Sequence, residues 1–282
     1  MRTVTLSLLA AFAAFTDLGH AACPVGGDTS ILANTGTPIG TTKVLDDTGI
    51  TLYITSPPLH FPANAHPDTA IIYLSDIFGL ESPANLLLAD SFARAGYLTV
   101  VPDLFSGSPT PNDLNTPGFN LTEFLSEHSP SATDPIIAST ISFLRSCLNV
   151  TRIGAAGYCF GGRYAFRFLD DSLPPNERVD VAFVATPSLL EDDEVLEISG
   201  PVSVAFADND ALVSAARRAE IEALLLETEQ EYMDSLYSGT VHGFASSADV
   251  SDRELRFAKE SAFLQAVRWF EEFLGRGFSG CW

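Results

Sequence analysis

The sequence predicts an α/β fold: a mainly parallel central sheet with helices on both faces. Three observations point there. Short apolar runs of strand length, such as TAIIYL at 69–74, are continuous rather than alternating, as a strand covered on both faces requires. Amphipathic stretches of helix length lie between them, so strands and helices alternate as in βαβ units. The 282 residues are 46% hydrophobic, enough for a sizeable core, and no linker or repeat divides them.

Each element has a local cause. Arg2, the apolar run Leu8 to Phe15 and the small pair Ala21-Ala22 read as a secretory signal over residues 1–22, so the chain is expected to be secreted. The alternative is a buried N-terminal helix. The mature single domain then spans 23–282. Residues 23–40 are rich in Gly and Thr and lack periodicity. Thr51 to Thr55 alternates through Leu52 and Ile54 like an edge strand, and Pro57, Pro58, Pro62 and Pro67 end it. After the strand Thr69 to Leu74, a helix is expected near Pro83 with its pattern over Asn85 to Ala95, and Gly96 stops it. Leu98 to Val101 is the next strand. Residues 104–134, rich in Pro, Asn, Ser and Thr, read as a long connection of the functional or mobile kind, and they contain no Lys or Arg. Helices are expected over Pro135 to Leu148, 161–169, Ser214 to Glu227 and Asp252 to Leu274. Strands are expected over Arg152 to Ala156, Val179 to Ala185, Pro201 to Ala207 and Glu231 to Tyr237. In a sheet of this kind, active residues gather at the C-terminal ends of the strands.

Charge and cysteines narrow the class. The net charge of −21 repels nucleic acid and anionic membranes. Beyond the N-terminal run, no stretch approaches the ~18 apolar residues that span a bilayer. Sequons at Asn120 and Asn149 fit a secretory route, with Asn120 in the more polar setting. Of four cysteines, Cys23 and Cys281 lie near the two mature termini and are the candidate disulfide. Cys147 follows a helical apolar pattern and is expected to be buried. No cysteine pair has zinc spacing.

Cys159 is left, in Gly157-Tyr-Cys-Phe-Gly-Gly162, between an expected strand and an expected helix. Glycines there permit a sharp strand-to-helix turn that lifts the central side chain into a site. A thiol at a helix N-terminus has its thiolate favoured by the dipole, and the following N–H, that of Phe160, points in as an oxyanion donor. A cysteine nucleophile needs a base oriented by an acid. His242, in Thr240-Val-His-Gly-Phe244, is the one histidine after Cys159. His60, His66 and His128 precede it and read as surface residues. Asp208 and Asp210 both follow the strand ending at Ala207; Asp210 is preferred because Ala211-Leu-Val213 anchors it.

These residues, with Ser75-Asp-Ile-Phe-Gly79 and Val101-Pro-Asp-Leu-Phe105, resemble the dienelactone hydrolase family of α/β-hydrolases, most closely its fungal-type members, from about Pro38 to Leu274. The resemblance implies an α/β-hydrolase fold and a Cys159-His242-Asp210 triad. It also implies a second oxyanion donor at Ile77 N–H and a thiol-activating acid at Asp76. The family often has Glu at that last position; Asp is shorter, and a plain turn residue is the equal alternative. Where bacterial members hold a substrate carboxylate with an arginine, this chain has Ser246, so the implied substrate is a small neutral ester or lactone. The implied chemistry is acyl transfer through an acyl-cysteine, with no metal or organic cofactor. The competing classes are a lapsed hydrolase that binds a ligand or partner without turnover, and a cysteine peptidase or acyltransferase.

Overall fold

The computed structural model describes residues 32–58, 66 and 68–275. The expected signal segment, His60, and both Cys23 and Cys281 lie outside the described residues.

Eight strands form one sheet: β1 (Thr41–Val44), β2 (Thr51–Thr55), β3 (Thr69–Leu74), β4 (Leu98–Pro102), β5 (Arg152–Tyr158), β6 (Val181–Ala185), β7 (Val202–Asn209) and β8 (Tyr232–Val241). Their spatial order is β1-β2-β4-β3-β5-β6-β7-β8. The β1–β2 and β2–β4 pairs are antiparallel and every other pair is parallel. This is an α/β-hydrolase fold. All six residues of β3 are buried, which accounts for its unbroken apolar run.

The helices are α1 (Pro83–Arg94), α2 (Leu121–Glu127), α3 (Pro130–Cys147), α4 (Phe160–Arg167), α5 (Asp192–Leu196), α6 (Ala215–Glu227), α7 (Phe244–Ser247) and α8 (Arg253–Leu274). Two apolar clusters sandwich the sheet. On one face, Ile71 and Tyr73 of β3 meet Phe92 of α1 and Phe263 and Phe270 of α8. On the other, Ala70, Ile72 and Leu74 meet Ile137 and Ile141 of α3, Phe166 of α4 and Ile221 of α6. The period-2 alternation of one strand therefore feeds both cores.

Several expectations need correction. Strand β2 is not an edge: the short, exposed β1 pairs along it. Nothing in Thr41–Val44 forms an apolar pattern, because all four residues face solvent. Residues 104–134 are not one loop. Asn120 caps α2 by accepting from the Thr122 and Glu123 N–H groups, and α3 begins at Pro130 and continues through Pro135. Pro135 does not start the helix; a second proline, Pro130, takes that role. Cys147 is exposed rather than buried. The apolar stripe Ile137, Ile141, Leu144 ends one turn earlier, and Val150, bonded back to the Leu144 carbonyl at 3.1 Å, enters the core instead. Neither described early histidine is a plain surface residue. His66 stacks on Tyr97 with ring centroids 4.6 Å apart, and His128 packs 4.3 Å from the Phe124 ring. Both sequon asparagines are exposed; Asn120 is the α2 cap, and Asn149 sits in a left-handed turn at φ 55°.

Candidate active site

The nucleophile turn is built by the ends of three parallel strands. Strand β5 ends at Tyr158, Cys159 takes φ 51° and ψ −110°, and α4 starts at Phe160. A non-glycine residue there is strained, and the neighbours hold it in place. Cys159 N–H donates to the Ala185 carbonyl of β6 at 3.0 Å, and Gly161 N–H to the Ser75 carbonyl beyond β3 at 3.0 Å. The glycines are steric requirements. A Cβ on Gly157 would sit 2.6 Å from the Gly161 carbonyl oxygen, and one on Gly161 would overlap the Leu74 carbonyl. These obstacles are backbone and cannot rotate away. Gly161→Ala is therefore expected to cost at least ~1–3 kcal/mol. Its melting temperature should fall by several degrees; an unchanged melt would contradict the packing described.

The triad closes across three elements. Cys159 Sγ lies 2.9 Å from His242 Nε2, and His242 Nδ1 lies 2.9 and 3.0 Å from the two Asp210 carboxylate oxygens. Asp210 Oδ1 also accepts the N–H groups of Leu212 and Val213 at 2.8 and 3.0 Å, and its side chain is 1% exposed. The apolar anchor after Asp210 thus supplies two fixed donors. Asp208, still in β7, is a brace: it accepts from Gly239 N–H of β8 at 3.0 Å and ties the strand ahead of the acid to the strand ahead of the histidine.

Burial pulls the His242 proton affinity down, but hydrogen bonds to Asp210 and Cys159 outweigh it and push the pKa up to about 10. Burial works against the Asp210 charge, yet His242 and the two backbone donors hold its pKa below the ordinary carboxylate value. The imidazole thus keeps a proton facing the sulfur, an arrangement suited to a thiolate nucleophile.

The second wall is the turn after β3. Gly79 N–H donates to the Asp76 carbonyl at 3.1 Å. Since a trans peptide points its N–H and C=O in opposite directions, Ile77 N–H faces away from that bond. The Ile77 carbonyl accepts both the N–H and the hydroxyl of Thr110, at 3.0 and 3.1 Å. Phe160 N–H is a first-turn amide of α4, without a carbonyl partner inside the helix.

Asp76 is buried. Its Oδ1 accepts from Phe78 N–H at 3.1 Å and Asn85 Nδ2 at 2.7 Å, and its Oδ2 from the Ser246 hydroxyl at 3.2 Å. None of these bonds reaches Cys159. Burial raises its pKa, opposed by those donors and by the nearby His242. Asn85 is the hub of the turn. Its amide also donates to the Gly79 carbonyl at 3.0 Å and its oxygen accepts the Tyr73 hydroxyl at 3.0 Å. Asn85 and Thr110 carry no local signal of function, because their roles appear only once the folded turn brings their partners around them. Asn85→Leu, close in volume, would leave Asp76 and the Gly79 carbonyl short of a donor. It is expected to lower kcat by about ten- to a hundredfold if the Ile77 donor is displaced. Steady-state kinetics with a short-chain ester would check this; an unchanged kcat would contradict it.

Residues 58–274 match the Dienelactone hydrolase family. The chain belongs to that family. It is 41% identical over 214 residues to hydrolase pyvD of Aspergillus violaceofuscus, covering 76% of this chain and 85% of the relative. It is 36% identical over 250 residues to hydrolase tropI of Talaromyces stipitatus, covering 86% and 93%. A solved structure of a thermophilic esterase from Thermogutta terrifontis, with propionate bound, superposes with a TM-score of 0.61 over 86% of this chain and 97% of that one. At 16% identity, that likeness is one of fold. This dienelactone hydrolase family member is a carboxylic ester or lactone hydrolase with a buried Cys-His-Asp triad. Among the described residues no helix is long and apolar enough to cross a membrane.

Proposed function

We propose that the protein is a secreted, fungal-type hydrolase that opens small neutral esters or lactones through an acyl-Cys159 intermediate. The observation that carries the chemistry is the 2.9 Å contact from Cys159 Sγ to a His242 whose other nitrogen is held by both Asp210 oxygens. The sulfur attacks the carbonyl carbon, and the carbonyl electrons move onto oxygen. That oxyanion rests on the Ile77 and Phe160 N–H groups, each worth ~3 kcal/mol. His242 passes its proton to the departing alkoxide, which leaves as the alcohol or, in a lactone, as the freed hydroxyl. Acylation removes the charge on sulfur, so one of the two groups holding the His242 proton weakens. The neutral imidazole then takes a proton from water, hydroxide adds to the thioester, and thiolate leaves.

Substrate charge follows from the loops around the site. Residues 75–82, 104–120, 186–190, 208–213 and 238–246 contain no Lys or Arg. Arg163, which follows the nucleophile turn, is engaged with Glu194 at 2.8 Å. An anionic substrate would meet no lysine or arginine on these segments and a net charge of −21 around it. Ser246, at the position where bacterial members have an arginine, is turned inward to Asp76. Asp76 therefore serves to shape the oxyanion turn. Secretion is supported by Arg2, the apolar run Leu8 to Phe15 and the two sequons. The fungal-type reading is supported by the relatives in Aspergillus and Talaromyces.

The test is hydrolysis of a short-chain p-nitrophenyl ester by wild type, Cys159→Ala and His242→Ala, beside a neutral lactone and its carboxylate-bearing counterpart. Turnover by wild type alone, with the neutral lactone preferred, is the expected result. Preference for the anionic lactone would overturn the charge argument. Folded wild type inert on every ester and lactone would favour a binding protein.

A further inference from the structure

We propose that Ser188 is a further catalytic residue: its hydroxyl is the second hydrogen-bonding partner of the Cys159 sulfur and stabilises the charge on that sulfur before attack and on departure. The proposal rests on Cys159 being the nucleophile. Ser188 Oγ lies 3.7 Å from Cys159 Sγ, and both residues are buried. Among the described residues the sulfur is the one hydrogen-bond partner of this hydroxyl. A hydroxyl buried merely to fill a loop would find a nearby carbonyl, as most buried polar groups do. Here it is aimed at the reacting atom.

The loop that carries Ser188 is built to hold it there. Ser188 N–H donates to the Cys159 carbonyl at 3.1 Å, and Thr186 N–H to the Ala205 carbonyl of β7 at 2.9 Å. Thr186 and Leu189 both lie in the left-handed region, at φ 46° and 60°, although neither is glycine. Two such residues within four positions store backbone strain beside a reactive group. The bare face of Gly162 admits the loop: a Cβ there would stand 2.9 Å from Pro187 Cα. The loop and the nucleophile turn are thus stitched together by backbone, which sets the Oγ–Sγ approach.

Charge fixes the direction of the bond. His242 presents a proton to the sulfur from the loop after β8, with Asp210 behind it and the Asp76 carboxyl near enough to feel its charge. With the sulfur as acceptor on that side, the Ser188 hydroxyl donates from the other. During attack the sulfur charge passes to the carbonyl oxygen and this bond weakens; when the thioester collapses, the bond reforms on the departing thiolate. No atom is transferred to or from Ser188.

The experiment compares wild type, Ser188→Ala, Ser188→Thr and Ser188→Val. The readout is the pH dependence of iodoacetamide alkylation at Cys159, located by peptide mass spectrometry, together with kcat/KM on a p-nitrophenyl ester. Ser188→Ala should move the alkylation midpoint upward by roughly half to one pH unit, the worth of one hydrogen bond to a charged group. Its kcat/KM below the midpoint should fall about three- to tenfold, by the same shift. Ser188→Thr, which keeps the hydroxyl, should titrate as wild type does. A wild-type midpoint in Ser188→Ala, or an equal shift in Ser188→Thr, overturns the proposal. If Ser188→Ala does not fold, the Thr and Val pair, equal in shape, decides: a higher midpoint in Val supports the proposal and equal midpoints overturn it. Alkylation needs no ester turnover. An inert enzyme that still shows the Ser188 shift therefore removes the hydrolase reading and overturns the catalytic role, while the Ser188 bond to the sulfur stands.

Discussion

Cys159→Ala is expected to lower kcat/KM for a neutral ester by about ten-thousandfold or more, because the acyl intermediate loses its only attachment point. The oxyanion donors and the binding surface remain, so activity should stay above the uncatalysed rate rather than vanish. Cys159→Ser is the more informative variant. Serine has a hydroxyl proton to lose, and its oxygen is less willing than sulfur to carry charge. In the wild type the sulfur is one of the groups that hold the His242 proton, and a neutral hydroxyl does not replace it, so the imidazole–thiolate pair is lost. The serine variant should therefore stay far below wild type although its geometry is nearly unchanged. Kinetics of both variants check this; an alanine variant keeping more than about a tenth of wild-type activity would contradict the assignment.

The second large effect belongs to Asp210. In Asp210→Asn the His242 Nδ1–H loses its charged acceptor and the ring can adopt the wrong tautomer, a change that cost about ten-thousandfold in kcat in a serine triad. The pH behaviour should change with it. Wild-type kcat/KM should decline as pH rises through about 10, where His242 gives up the proton that the leaving group needs. Without Asp210, that decline should move down toward the ordinary histidine value of 6.5. Stability follows the same linkage. His242 is raised on folding, so its contribution is complete below pH 6.5 and is lost as pH climbs through about 10. Asp210 is depressed on folding, so its contribution is complete above its unfolded pKa, about 4, and is lost as pH falls through the lower folded value. The gap in melting temperature between wild type and Asp210→Asn should be widest between about pH 4 and 6.5 and close toward pH 10. A gap that does not vary with pH would contradict the pairing.

The parts of this account that rest on local chemistry could be read along the chain. Thr69–Leu74 is a strand because a doubly covered strand must be apolar throughout. Cys159, Asp210 and His242 could be picked out because a strained glycine turn, an acid past one strand and a lone later histidine each leave a local mark. The parts set by distant partners could not. Strand β1 has no apolar pattern and exists by pairing with β2. Pro135 resembles a helix start although the helix begins five residues earlier, since either proline fits a first turn. Asn85 looks like any residue of α1 until Tyr73, Asp76 and Gly79 are brought around it. Ser188 sits beside the sulfur through strain at Thr186 and Leu189, which no residue type there announces.

The central claim is a covalent acyl group on Cys159, and one measurement meets it directly. Wild-type protein is mixed with p-nitrophenyl butyrate, quenched in acid during turnover, digested and weighed by mass spectrometry. The account predicts a butyryl mass on the peptide containing Cys159, removable by hydroxylamine as a thioester is, and absent from Cys159→Ala. Turnover of the ester with the acyl group on another residue, or with no adduct while Cys159→Ala still hydrolyses it, would contradict the claim.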